Sequence, residues 1–187
     1  MTTVYVYADE SCLGNQFTDR DSPGGAAGLI EYWTGDQWVR RDYWLSEPAT
    51  TNNRMALRSA IAGLDALTRP CDVVFTSDSQ YLVRGMTEWI HGWKRRNWTR
   101  KAGPIENLGL WQQLATAATR HHIRWEWVRG HAGHPQNEYA NVLAVRAARE
   151  QSASAGLVES GFEAWLQDER ERRARYLDFF EHAAPAN

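Results

Sequence analysis

A chain of 187 residues is long enough to bury a good core in one domain, and its formal net charge of −2 does not by itself announce a nucleic-acid binder. No apolar run approaches the roughly eighteen residues that a membrane span needs, and no membrane partner is expected. Cys12 and Cys71 are too few and too far apart for a disulfide framework or a cysteine metal cluster, so both are expected to be reduced thiols; Met1-Thr2-Thr3 lacks the basic and apolar regions of a signal peptide, and the expected location is cytoplasmic.

The first predicted element is a strand. Val4 to Ala8 alternates and is rich in Val and Tyr. Two adjacent carboxylates, Asp9 and Glu10, stand at its end, and Gly14 follows as a turn residue. Adjacent carboxylates at a strand end are costly unless something positive sits beside them, and a hard divalent cation is the natural solution. Residues 16–24 read as a polar loop, Gly25 to Trp33 as a second strand and Gln37 to Leu45 as a third. Short connections between the three predict an antiparallel meander. Thr50-Thr51-Asn52-Asn53 is a helix start, followed by Met55, Leu57, Ala60, Ile61, Leu64 and Leu67 at helical spacing. Val73 to Thr76 is a short buried strand that ends at Ser77-Asp78-Ser79. Residues 80–93 read as helix, 94–103 as basic and irregular, and Asn107 to Arg120 as helix. Ile123 to Val128 is a fifth strand, the Gly130-His131-Ala132-Gly133-His134-Pro135 stretch a loop, and Gln136 to about Gln151 a further helix. Late strands separated by helices imply parallel crossovers, so the fold class is α/β, a mixed sheet flanked by helices. Residues 152–160 read as a linker and Gly161 to His182 as a charged helix whose Phe162, Trp165, Leu166, Tyr176, Leu177, Phe179 and Phe180 could dock it on the main body.

The ten Trp residues and the local charge pattern carry the next signal. The segment 84–101 holds Arg84, Lys94, Arg95, Arg96, Arg100 and Lys101 against Glu88 alone, with Trp89, Trp93 and Trp98 interleaved. A basic run is usually a solvated face; interleaved with indoles it suits phosphates, sugars and bases. The mixed-sign run Arg170 to Arg173 is read as a solvated helix face.

Together the segments Asp9 to Asn15, Thr51 to Met55, Ser77 to Tyr81, Trp89 to Trp98 and Trp125 to Pro135 resemble type 1 ribonuclease H in order and spacing, over about residues 4–150. The resemblance implies a ribonuclease H-like fold, a five-stranded mixed sheet with three antiparallel strands and then two parallel ones. It also implies a domain over 1–150 with 151–187 as linker and helical extension, and metal-dependent cleavage of the RNA strand of RNA–DNA hybrids. The family site holds four carboxylates. The first maps to Asp9 and the third to Asp78, but the second falls on Ala56 and the fourth on Asn141.

Two readings of that departure stay open. In one, the site is inactive and the chain binds hybrid without cutting. In the other, Glu10 replaces the missing helix glutamate from the first strand, as in the Asp-Glu pair of type 2 ribonuclease H, and Ala56 leaves room for it. The second reading implies Asp9, Glu10, Asp78 and Asn141 as ligands of Mg²⁺, with Mn²⁺ as a substitute, a two-metal mechanism leaving 5′-phosphate and 3′-hydroxyl ends, and His131 assisting proton movement or product release. Asp78 could instead be a helix cap, and Asn141 or His131 an ordinary surface residue. The hybrid contacts implied are Asn15, Thr51, Asn52, Asn53, Arg54, Gln80, Trp89, Trp93, Lys94, Arg95, Arg96 and Trp98, on a chain expected to be a monomer.

Overall fold

The computed structural model describes residues 2–14, 22–130 and 132–186. Strands β1 (Thr3–Cys12), β2 (Ser22–Trp33) and β3 (Trp38–Thr50) form an antiparallel meander. Strand β4 (Asp72–Ser77) pairs parallel with the other edge of β1, and β5 (His122–Trp127) pairs parallel with β4. The expected mixed sheet is thus present, but it has six strands, in the order β5-β4-β1-β2-β3-β6. The sixth, β6 (Val158–Glu159), lies in the stretch read as linker and pairs with Arg41 and Asp42 of β3. A two-residue strand carries no alternation for a sequence pattern to reveal.

Period-two alternation divides the sheet between two layers. Val4, Val6 and Ala8 of β1 join a core with Leu57, Ala60 and Leu64 of α1 (Asn52–Asp65) and Trp111 and Leu114 of α4 (Leu108–Ala118). On the opposite face, Ala27 and Leu29 of β2 pack with Tyr139, Leu143 and Ala144 of α5 (Pro135–Glu150) and with Phe162 and Leu166 of α6 (Phe162–Arg173). α5 comes so close to β2 that a Cβ built on Gly25 would collide with the Ala144 carbonyl oxygen.

Residues 80–95 form one continuous rod, α2 (Gln80–Arg84), a π-helical turn over Gly85–Trp89, and α3 (Ile90–Arg95). The charged C-terminal helix is shorter than its composition predicts. It ends at Arg173, where Ala174 turns left-handed at φ +50°, and no Gly or Pro signals the stop. The remaining segment folds back and ties itself down: Trp38 Nε1 donates to the Ala183 carbonyl at 2.7 Å.

Candidate active site

Convergence of the acidic residues follows from where β4 ends. The parallel β1–β4 ladder stops at the Ala8–Ser77 pair. Asp9 and Glu10 lie just past that point on β1, and Asp78 follows Ser77 at the same level. Although successive residues on a strand point to opposite faces, both carboxylates can reach the space beyond the end of β4. Oxygen atoms of Asp9, Glu10 and Asp78 lie within 4.8 Å of one another, with Asp9 buried and the other two half-buried. Opposite them on β2 stand Ala27 and Ala26, small residues that leave the space open.

Glu10 falls on the strand face of Ala8 and Cys12, which α1 covers. On that helix Ala56 is fully buried, in the same core cluster as Ala8. The residue at the family's second carboxylate position is therefore a core methyl, and the acid near Asp9 and Asp78 is Glu10 of β1. On the other face, the Asn141 side chain hydrogen-bonds the Asp9 carboxylate from α5.

The electrostatics of the cluster are those of unneutralised acids. Burial, and then the charge of Asp78, push the Asp9 carboxyl up to about 7, while the Glu10 backbone N–H and Asn141 hold it down in part. The Glu10 N–H donates to Asp9 Oδ1 at 2.7 Å. Burial, then Asp9 and Asp78, raise Glu10 well above the usual glutamate range. The Cys12 thiol, buried and facing Glu10 and Glu47, is pushed up to about 11. Three crowded oxygen donors whose ionised forms repel one another match the ligand chemistry of a hard divalent cation, which would relieve that repulsion.

Neighbouring groups that sequence reasoning did not single out hold Asp78. The Trp127 indole N–H donates to its backbone carbonyl at 2.9 Å, and the β5 ladder continues into a Val128 N–H to Ser77 carbonyl bond of 3.1 Å. A Cβ on Gly130 would strike Asp78 Oδ2. The sequence cue for Gly130 was its place in the Gly-His loop; nothing in the sequence marks the indole contact. His131 and Asn15 lie outside the described residues.

Substrate candidates fall into two groups. At the start of α1, Thr51 is the N-cap, its hydroxyl accepting from the Arg54 N–H at 3.3 Å. Asn52 and Asn53 follow in the first turn, and the Asn52 Oδ1 is buried without a hydrogen-bond partner among the described residues. Arg54 is held by Glu47 at 3.6 Å, and Glu47 also pairs with Arg58, a partner the sequence did not reveal. The second group is the rod and the turn after it. Lys94, Arg95 and Arg96 are exposed, Trp89 and Trp98 half-buried, and Gln80 exposed at the start of α2. Trp93 is different. It is buried, its ring 5.8 Å from Trp89 and 5.4 Å from Trp111, so it supports the rod from beneath. Beside the rod and the turn after it lies a cavity of about 520 Å³ lined by Trp89, Arg95, Arg96, Arg100 and their neighbours.

Comparisons with known proteins agree with this architecture. The family model described as RNase H matches residues 1–149. Ribonuclease H of Pectobacterium carotovorum subsp. carotovorum strain PC1 is 49% identical over 146 residues, which is 78% of this chain and 89% of the relative. The crystal structure of LC9-RNase H1, described as a type 1 RNase H with the type 2 active-site motif, is 54% identical and superposes with a TM-score of 0.84, covering 93% of this chain and 83% of that one. A more distant likeness of fold, at 13% identity and TM-score 0.61, links the chain to the foamy viral protease–reverse transcriptase in complex with RNA/DNA hybrid, over 80% of this chain and 20% of that one.

Proposed function

The chain belongs to the ribonuclease H family and is an enzyme of that kind; from this premise we propose that it cuts the RNA strand of RNA–DNA hybrids at an Asp9–Glu10–Asp78–Asn141 site whose second carboxylate has moved from the helix to the first strand. The observation that carries this reading is the approach of Glu10 to Asp9 and Asp78 within 4.8 Å, while Ala56, at the position of the family's second carboxylate, is a buried core residue. The relative described as having the type 2 active-site motif in a type 1 enzyme supports it.

Asp9, Glu10 and Asp78, with the Asn141 amide oxygen at their edge, would hold divalent cations, Mg²⁺ in the first place and Mn²⁺ as a substitute. When bound, a pair of such cations supplies Lewis acidity at the scissile phosphate and makes water a nucleophile near neutral pH. The chain's own residues do the rest. Asp9, with the lowest exposure of the three acids, anchors the centre, and the Asn141 side chain, by its hydrogen bond, favours the ionised form of that carboxylate in part. Trp127 and the tight approach of Gly130 fix where Asp78 can stand. His131, on the loop after β5, moves the proton or helps the product leave. In-line attack leaves a 5′-phosphate on one fragment and a 3′-hydroxyl on the other.

Substrate recognition rests on shape. Thr51, Asn52, Asn53 and Arg54 take phosphate or the minor groove, aided by the N-terminus of α1, and Asn15 and Gln80 read 2′-hydroxyls or base edges. Lys94, Arg95, Arg96, Trp89 and Trp98 take the DNA strand, with Trp93 as their packed support. The reading includes a monomeric enzyme, a domain over 1–150 and an extension over 151–187.

The test is cleavage of end-labelled RNA–DNA hybrid, RNA duplex and DNA duplex with Mg²⁺, Mn²⁺ or EDTA. The expected result is cutting of the hybrid's RNA strand only, in either metal and not in EDTA, with fragments that a ligase joins without prior phosphorylation. Hybrid binding without cutting in both metals would favour an inactive hybrid-binding protein instead.

A further inference from the structure

Residues after Glu150 lie outside the span matched by the family model, yet they reach the loop that carries His131. Arg175, just past the end of α6, donates from Nη2 to Glu138 Oε2 at 2.6 Å and from Nη1 to Glu169 Oε2 at 3.1 Å. Its Nη2 also reaches the Tyr176 hydroxyl at 2.5 Å. Glu138 stands in the first turn of α5, and its Oε1 accepts from the Gly133 backbone N–H at 3.3 Å. The acids are shielded, with side-chain exposures of 12% for Glu138 and 7% for Glu169, so these charge-assisted bonds are screened far less than surface pairs. Burial pushes the Glu138 carboxyl upward, but Tyr176 and Arg175 outweigh it and hold the group below its ordinary range.

The loop has reason to need a brace. Gly130 and Gly133 flank His131 in sequence, and Gly133 sits at φ +85°, a left-handed conformation that glycine adopts without a Cβ penalty. The chain of contacts from Arg175 through Glu138 to Gly133 spans 37 residues of sequence at its first step and ends two residues from His131. Near-attack geometry is sensitive to displacements of this kind.

We propose that Arg175 is a positioning residue for cleavage: from the C-terminal segment it braces Glu138, which holds Gly133 and the loop of His131. The inference rests on the reading of His131 given above, and its test separates the two. The variants are Arg175→Gln, Arg175→Lys, His131→Ala and the double variant Arg175→Gln/His131→Ala, all in the full chain. Arg173→Gln is the control, because Arg173 pairs with Glu169 at 3.2 Å from the same helix end. Arg175→Gln is expected to lower kcat roughly tenfold with KM little changed, and Arg175→Lys to restore most of it. Arg173→Gln keeps the parent kcat. Amide exchange at Gly133 rises in Arg175→Gln and not in Arg173→Gln. In the His131→Ala background, Arg175→Gln adds no further loss. A parent-like kcat and parent-like Gly133 exchange in Arg175→Gln overturns the brace. So does an equal loss with and without His131. A parent-like kcat in His131→Ala, with faster Gly133 exchange in Arg175→Gln, removes the catalytic reading of His131 and with it the brace's role in cleavage, while leaving the structural tie in place.

Discussion

At the scale of single residues, the site depends on which side chain occupies which small space. On the proposed reading Glu10 takes over from a helix glutamate, while Ala56, at that glutamate's position on α1, is a buried methyl. Asp78 is confined by Gly130, so Gly130→Ala should displace it. The expected outcome is a loss of at least about tenfold in kcat with the fold retained, read by hybrid cleavage beside circular dichroism. Parent-like cleavage would show that Asp78 has more freedom than the close contact allows. Much at this scale was legible. Adjacent carboxylates after a Val/Tyr strand, and an Asp after a short buried one, are patterns visible in the residues themselves. The Trp127 indole, the Glu47 tie to Arg54 and the buried place of Trp93 were not. Each is a contact between distant segments, and side-chain identity alone does not say which face of a ring is covered.

At the scale of elements, the short parallel strand β4 sets the site by stopping at Ser77 and leaving the acids of β1 beside its end. That strand, the meander and α1 were readable from alternation, spacing and the Thr51 cap. The two-residue β6 and the stop of α6 at Ala174 were not, since neither has a periodic pattern or a Gly to mark it. The junction of α4 and β5 carries a pH dependence. His121 is buried there, and neither ring nitrogen has a well-formed hydrogen bond among the described residues. Burial, and then Arg120, lower its pKa from the ordinary 6.5, with Asp65 and the Leu64 backbone opposing in part. The unfolded chain therefore takes up this proton before the folded one does. The stabilisation from neutral His121 is complete above pH 6.5 and drains away as pH falls through that value toward the lowered folded pKa. Urea midpoints measured on both sides of that window should fall with acid in the parent and less steeply in His121→Leu. Equal slopes in the two would mean that His121 does not sense the folded environment.

At the scale of the whole molecule, the segment after α5 is part of the packed structure. Phe162 and Leu166 are fully buried against β2 and α5. Arg40, buried on β3, pairs with Glu31 at 2.8 Å and Glu163 at 2.7 Å and donates to the Glu181 carbonyl. Asp42 accepts from the Tyr139 hydroxyl, the Ser160 hydroxyl and the Gly161 N–H. Of the residues of 161–182 expected to dock, Phe162, Trp165, Leu166, Tyr176 and Phe179 do so, whereas Leu177 and Phe180 stay exposed because they lie past the end of α6. The buried charges on β3 that receive the segment gave no sign, because a charged residue on a predicted strand reads as solvent-facing. Phe162→Ala should cost about 3–5 kcal/mol, as for other buried aromatic truncations. Urea unfolding checks this, and a loss below about 1 kcal/mol would mean that the C-terminal segment is only loosely attached.

The central claim is that the second carboxylate now comes from the first strand. Its most direct measurement is cleavage of an RNA–DNA hybrid in Mg²⁺ by the parent, by Glu10→Ala and by the double variant Glu10→Ala/Ala56→Glu, with circular dichroism on each. The account predicts that the parent cuts, that Glu10→Ala loses at least about a hundredfold while remaining folded, and that restoring a glutamate on α1 returns part of the activity. Normal cutting by folded Glu10→Ala would contradict it.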